Sequence, residues 1–241
     1  MLPPLAAASL VVASAAFAQT ERARDDVAMP VAGKLLWGSD IAIENRPCCE
    51  GTGRADEREA AVLAAVEGRA GRQGRILRLR LGAGRTLRFV DCESSSACGV
   101  ENVRVHRLAG WWPGRGYYVV GVSGFAEQMG YLVRQRDGLI VRTLAPPVLS
   151  PGERHAIATD LLMPRGAGAT EVLDTSVDPP VRLPFAKSTS CPTLLAAGSL
   201  PRWIDDDNAR FDDAMVATDE PKPKELSLHL AGGAAEWVCR Y

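Results

Sequence analysis

The sequence has little of what marks an enzyme, a metal site or a nucleic-acid binder. Its 28 Lys and Arg nearly cancel its 29 Asp and Glu, for a net charge of −1, so it lacks the basic surplus that binding a phosphate backbone requires. Histidine is scarce: His106, His155 and His229 are the only three. They fall in separate segments, and a triad drawn from distant positions has no positive support. None of the six cysteines shows the two-residue spacing of a zinc knuckle. No cofactor and no metal is implied. Long apolar runs are also missing. The longest, Leu5 to Phe17, falls short of the roughly 20 residues that span a bilayer, which excludes a transmembrane anchor.

That short run is informative in another way. It ends in Ala16-Phe17-Ala18, the small-x-small pattern of a signal-peptidase site. Residues 1–18 read as a signal peptide and the mature chain begins near Gln19, with a periplasmic or secreted destination. No Lys or Arg precedes the run, and no Cys follows the cleavage site to carry a lipid.

In an exported chain an even cysteine count reads as disulfides. Cys92 and Cys98 bracket a short polar loop and are placed for a local bridge, leaving Cys191 and Cys239 to pin the C-terminal strand to the body of the fold. Cys48 and Cys49 are adjacent; they form a vicinal disulfide or divide between Cys92 and Cys98.

Residues 19–53 read as an extended N-terminal arm with a single anchoring strand, and 54–241 as a single domain. Arg54 to Arg69 is the one helix candidate, rich in Ala and stopped by Gly68 and Gly71. Beyond it the pattern alternates. Leu77, Leu79 and Leu81 lie on one face of a strand and Arg78 and Arg80 on the other, and Gly82-Ala83-Gly84 turns the chain into Thr86 to Val90. The same hairpin design recurs at Tyr131 to Thr143 around Asp137-Gly138, at Glu171 to Phe185 around Asp178-Pro179, and at Leu226 to Cys239 around Gly232-Gly233. Gly116 to Val122 is apolar at nearly every position and reads as a central strand; Arg154 to Thr159 reads as another. Hairpins repeating every 40 to 55 residues or so suggest a sheet unit of propeller-blade size.

Leu139 through Ala158, with Pro146-Pro147 and the turn Ser150-Pro151-Gly152 ahead of its last strand, resembles the WD-like repeat of the periplasmic propeller of the Tol-Pal system. Pro201 to Phe211 is a weaker echo, with Trp203 and Phe211 at the corresponding apolar positions. The family's Asp is missing from the Ser-Pro-Gly turn. The resemblance implies blade architecture and nothing about a ligand. A closed propeller needs at least four blades, and the chain has room for barely that many. The expected fold is therefore all-β, with incomplete or open propeller-like sheets built from repeated hairpins, one short N-terminal helix, and the arm covering an edge.

Candidate chemistry is thin. Gly121-Val122-Ser123-Gly124-Phe125 lacks the last glycine of a nucleophile elbow and reads as a turn joining strands. Asp205-Asp206-Asp207-Asn208 with Asp212-Asp213 has the hard oxygen ligands that suit calcium but not an EF-hand spacing, and a solvated turn is the plainer account. Two binding candidates stand out. Trp111, Trp112, Tyr117 and Tyr118 are the one aromatic concentration, and such rings dominate contact surfaces when exposed. The Arg-rich hairpin, with Arg78 and Arg80 outward, offers a basic stripe to an acidic polymer. The functional expectation is a non-enzymatic binding or protein-interaction module of the cell envelope, its partner an envelope protein or polymer. The alternative is an envelope hydrolase with a His/acid site in the C-terminal half.

Overall fold

In a computed structural model the described residues are 40–44, 57–93, 99, 103–124, 128–161, 170–191, 196–216 and 221–241. The signal-peptide expectation, and Cys48, Cys49 and Cys98, lie outside them. The fold is mostly β with one short helix, and its sheets are open.

The first sheet takes one strand from the arm. β1 (Asp40–Glu44) is followed by helix α1 (Glu57–Ala65) and by β2 (Ala70–Gln73), β3 (Ile76–Arg80) and β4 (Thr86–Val90), in the order β1-β4-β3-β2. β1 pairs in parallel with β4, so the arm covers an edge of the predicted hairpin. β3 and β4 turn at Gly82–Gly84, with Leu77 opposite Phe89 and Leu79 opposite Leu87.

The second sheet is the meander β5 (Arg104–Trp112), β6 (Tyr117–Gly124), β7 (Gln128–Arg134) and β8 (Ile140–Thr143). β6 is central, as its unbroken apolar run requires. The third is β9 (Val148–Leu149), β10 (His155–Thr159), β11 (Thr170–Asp174) and β12 (Val181–Arg182). After the short ladder of β13 (Ala196–Ala197) with β16 (Ala214–Met215), a fourth sheet is built from β14 (Arg202–Trp203), β15 (Asn208–Phe211), β17 (Glu225–Ala231) and β18 (Ala234–Arg240). All four predicted hairpins are present. The Pro146-Pro147 break separates the second sheet from the third, because neither proline can donate to a ladder.

The sheets stack in chain order through three apolar layers. Leu77, Leu79, Leu87 and Phe89 of the first meet Tyr118, Val120, Val122, Tyr131 and Val133 of the second. The opposite face of the second, with Trp112, Tyr117, Val119 and Leu132, meets Ala156 and Leu173 of the third. Ile157 and Val172, on the far face of the third, meet Ala209, Phe211, Leu226, Leu228 and Leu230 of the fourth. Among the described residues no apolar cluster joins the first sheet to the fourth. The inner sheets are thus buried on both faces and the terminal sheets on one. This is why β3 and β17 alternate apolar and polar while β6 and β7 do not. Polar outer faces let the stack end without closing, as capping units do in repeat proteins.

Exposed edges are managed locally. β5 carries a bulge between Leu108 and Gly110, and its Leu108 N–H donates to Glu59 of α1. The indole N–H of Trp203 donates to Val148 O on β9 at 3.1 Å. Segment 184–186 runs beside β18, where Ala235 N donates to Pro184 O and Ala186 N to Ala235 O. The predicted Cys191–Cys239 disulfide is formed, with a Cα–Cα distance of 5.1 Å, and ties this return segment to β18. Cys92 is also disulfide-bonded. No described helix is long and apolar enough to cross a membrane.

Candidate functional site

The aromatic concentration is core, which corrects the expectation that it forms a contact patch. Trp112 is 7%, Tyr117 2% and Tyr118 0% exposed. Trp111 is half-buried against Tyr118, with the Arg69 guanidinium 5.4 Å from its ring centroid. The reason is that β5 and β6 belong to an inner sheet, so alternate side chains point into the first and third sheets, which encloses three of the rings and leaves only part of Trp111 to solvent. Tyr118 Oη donates to Arg80 O at 2.6 Å. Tyr117 Oη donates to Asp178 Oδ1 at 2.5 Å. Burial, followed by the Asp178 carboxylate, pushes the Tyr117 phenol well above its ordinary range.

Sequence reasoning missed a buried ionic network at the helix. Glu59 and Asp91 are each 1% exposed. Arg72 grips Glu59 with two donors, Nε to Oε2 at 2.8 Å and Nη2 to Oε1 at 2.9 Å, and donates from Nη1 to Asp91 Oδ2 at 2.8 Å. Its Nη2 also donates to His106 O. Asp91 Oδ1 accepts from His106 N at 2.7 Å and from His106 Nδ1 at 3.0 Å, and Arg107 Nη1 reaches Asp91 Oδ2 at 3.0 Å. Burial works to raise the Asp91 carboxyl, but the two His106 hydrogen bonds and the Arg72 charge overcome it and hold it below the usual range. The sequence did carry a signal. Glu59, Val62, Leu63 and Val66 stand at i, i+3, i+4 and i+7, so a carboxylate occupies the inward stripe of the helix. An Asp–His pair this enclosed orients its imidazole, and Phe89 lies against the ring at 5.0 Å, with His106 itself 2% exposed. Its work is to fasten α1 to the first two sheets.

The acidic run from Asp205 is a turn that staples sheets together. Asp205 accepts from Asp207 N and from the Asn208 side chain. Asp206 Oδ1 accepts from Gly152 N at 2.6 Å, in the Ser-Pro-Gly turn of the third sheet. Gly152 packs directly against that carboxylate, and a side chain there would have to push Asp206 aside. His155 Nδ1 donates to Asp206 O at 2.9 Å and lies 3.8 Å from Asp207 Oδ1. His155 and Asp207 line a small cleft of about 100 Å³ beside Gly232 and Gly233, with no nucleophilic side chain in its lining. His229 donates from Nδ1 to Asn208 Oδ1 at the surface. Ser123 lies within β6, on a straight strand and not on an elbow. Among the described residues no cluster of His, Cys, Asp and Glu could hold a metal.

One buried carboxyl works against stability. Glu171 is 7% exposed and bonded to Arg182 at 3.0 Å, but its Oε1 has no hydrogen-bond partner among the described residues. Burial raises its pKa, with Arg182 only partly opposing. The folded state therefore holds this proton at pH values where the unfolded chain has released it, and stability falls as pH rises from the unfolded value of about 4.3 through the folded one. Glu171→Gln is expected to match the wild type near pH 4 and exceed it at pH 7, as read from denaturant midpoints at the two pH values.

Two surface features bring arginines together. The first is a cleft of about 340 Å³ where turns of the first three sheets converge, lined by Gly82, Arg115, Gly116, Arg134, Arg136 and Asp178. The second is the outer face of the first sheet. Arg78 and Arg80 are exposed there, Arg78 lies directly opposite Arg88, and the buried Nε of Arg88 has no hydrogen-bond partner among the described residues. None of these three arginines has a carboxylate partner among the described residues, whereas Arg72, Arg107, Arg134, Arg136, Arg182 and Arg210 all do. Of the predicted binding residues, the structure buries the aromatics and leaves Arg78 and Arg80 outward on one face.

No protein-family model, no curated protein and no solved structure matches the chain.

Proposed function

We propose that the chain is an exported, non-enzymatic binding module of the cell envelope, built from WD-like blades and working through the outer face of its first sheet. The observation that carries this reading is the Arg78–Arg88 register. Like charges placed directly opposite on adjacent strands are destabilising, and this face roots its arginines at backbone positions about 5 to 7 Å apart in two directions. A negatively charged envelope polymer lying across the face relieves that repulsion and meets the planar donors of arginine with its oxyanions. A periplasmic or secreted destination fits the signal-peptide reading of residues 1–18 and the disulfide.

Arg78→Glu with Arg80→Glu should leave the thermal transition within a degree or two of the wild type, because both side chains are exposed. It should lower co-sedimentation with isolated cell envelopes by about tenfold or more at low salt. Undiminished co-sedimentation would remove the reading.

The hydrolase alternative rests on His155 and Asp207, which share a cleft. His155→Ala abolishing a measurable esterase or glycosidase activity would favour it over the binding module.

A further inference from the structure

We propose that the cleft between the turns of the first three sheets binds a compact oxyanion, the carboxylate or phosphate of a small polar molecule. This site is separate from the arginine face of the first sheet and does not depend on it. Its walls include backbone from the first two sheets, and Asp178 joins them from the third. Gly82 N donates to Gln135 O at 2.7 Å, Gln135 N to Gly116 O at 2.8 Å and Gly116 N to Trp112 O at 2.7 Å. Any side chain at Gly82 would collide with the Arg136 carbonyl, so glycine is what lets the first sheet's turn close on the second's. Such a wall keeps its shape when empty, as a specific site requires.

The charges facing this cleft are three guanidinium groups and one carboxylate. Arg134 is committed to the fold, with Nε and Nη2 on Asp137 at 2.9 and 2.6 Å and Nη1 on Asp178 at 2.7 Å. Arg136 is not. It is 65% exposed and holds Asp178 Oδ2 by Nη2 alone at 2.7 Å, with its Nε 3.7 Å from Asp137. Arg115 donates from Nη2 to Glu153 O at 2.6 Å, but its buried Nε has no hydrogen-bond partner among the described residues and lies 3.8 Å from Glu153 Oε2. That nitrogen is enclosed and faces Glu153, so an oxyanion in the cleft meets the exposed edge of Arg136, in a lining of three guanidinium groups against one carboxylate. At about 340 Å³ the cleft is near the lower end of ligand sites, roughly 300 to 1,000 Å³, which limits the ligand to a molecule of about monosaccharide size.

Inorganic phosphate and acetate, titrated separately by calorimetry at constant ionic strength, test this and distinguish the two oxyanion chemistries. The expected result is saturable 1:1 binding of at least one of them. Arg136→Ala should weaken it about tenfold, the worth of one charge-assisted pair. Asp178→Asn should tighten it, because it removes the one negative charge of the lining while keeping an acceptor for Tyr117 and Arg134. A purely structural role for these residues would not move the two variants in opposite directions. Arg78→Glu with Arg80→Glu should leave the titration unchanged, so failure of the envelope-binding reading and failure of this one are separable. Absence of saturable binding by both anions, or affinities unmoved by Arg136→Ala and Asp178→Asn, would overturn the proposal.

Discussion

Replacing Arg72 by alanine is expected to destabilise the protein by about 3 to 5 kcal/mol, the range for breaking a buried ion pair by removing one partner. The substitution leaves two carboxylates, Glu59 and Asp91, each 1% exposed, without the guanidinium that bonds both. Arg107 does not replace it, since it is 3.0 Å from Asp91 but 3.8 Å from Glu59 and is partly exposed. The loss is a large share of the roughly 5 to 15 kcal/mol that holds a domain together, and for a chain of this size it lowers Tm by on the order of 10 °C. Glu59→Ala should also be costly, because it removes two of the acceptors of Arg72 and the carboxylate oxygen that accepts from the Leu108 N–H. The double variant should cost clearly less than the sum, as expected when two residues serve one network. Acid should act on the same element. Asp91 has a depressed folded pKa, so its contribution is complete above the unfolded value near 3.9 and is lost as pH falls through the folded value. Thermal melts of the two single variants and the double variant, repeated at pH 7 and pH 3, check all of these points; an Arg72→Ala protein with an unchanged Tm would refute the structural role given to the network.

Trp112→Ala combined with Tyr117→Ala is expected to leave the protein largely unfolded at 25 °C. Truncating a buried Trp or Phe to alanine costs about 3 to 5 kcal/mol, and the two rings occupy the same layer between the second and third sheets. They face each other across the strand pair β5–β6, so their losses share a cavity and need not add fully. Even so, the combined loss rivals the stability of an average domain. Tyr117→Phe is the informative companion. It keeps the packing and removes only the hydrogen bond to Asp178, a loss of about 1 to 2 kcal/mol. A double alanine variant with a native melting curve would return these rings to the surface and restore the contact patch that the sequence suggested.

Much of the fold was legible from local chemistry. Asp137-Gly138 and Gly232-Gly233 mark hairpin turns because glycine reaches positive φ without strain, and Gly138, Gly232 and Gly233 all do so here. The alternation from Ile76 to Arg80 gave a half-buried strand, and the apolar run from Tyr117 to Val120 gave a central one. The Cys191–Cys239 pairing followed from the even cysteine count once Cys92 and Cys98 were assigned to a local bridge. Of the candidate site, only the outward arginines of β3 were recoverable, because a two-residue period assigns faces without knowledge of any neighbour.

What the sequence determined by itself was therefore the kind of element at each place, since turn residues and side-chain period act within a few bonds of one another. Only the tertiary structure decided which faces meet. Whether Trp112 and Tyr118 are core or contact depends on the second sheet having a neighbour on both sides, and that rests on residues tens of positions away. The ionic network is the extreme case. Glu59 reaches Arg72 across 13 residues and Leu108 N across 49, and no local pattern can report a partner at that distance. The cleft beneath Arg115 and Arg136 likewise exists only because turns from three sheets arrive at one end of the stack.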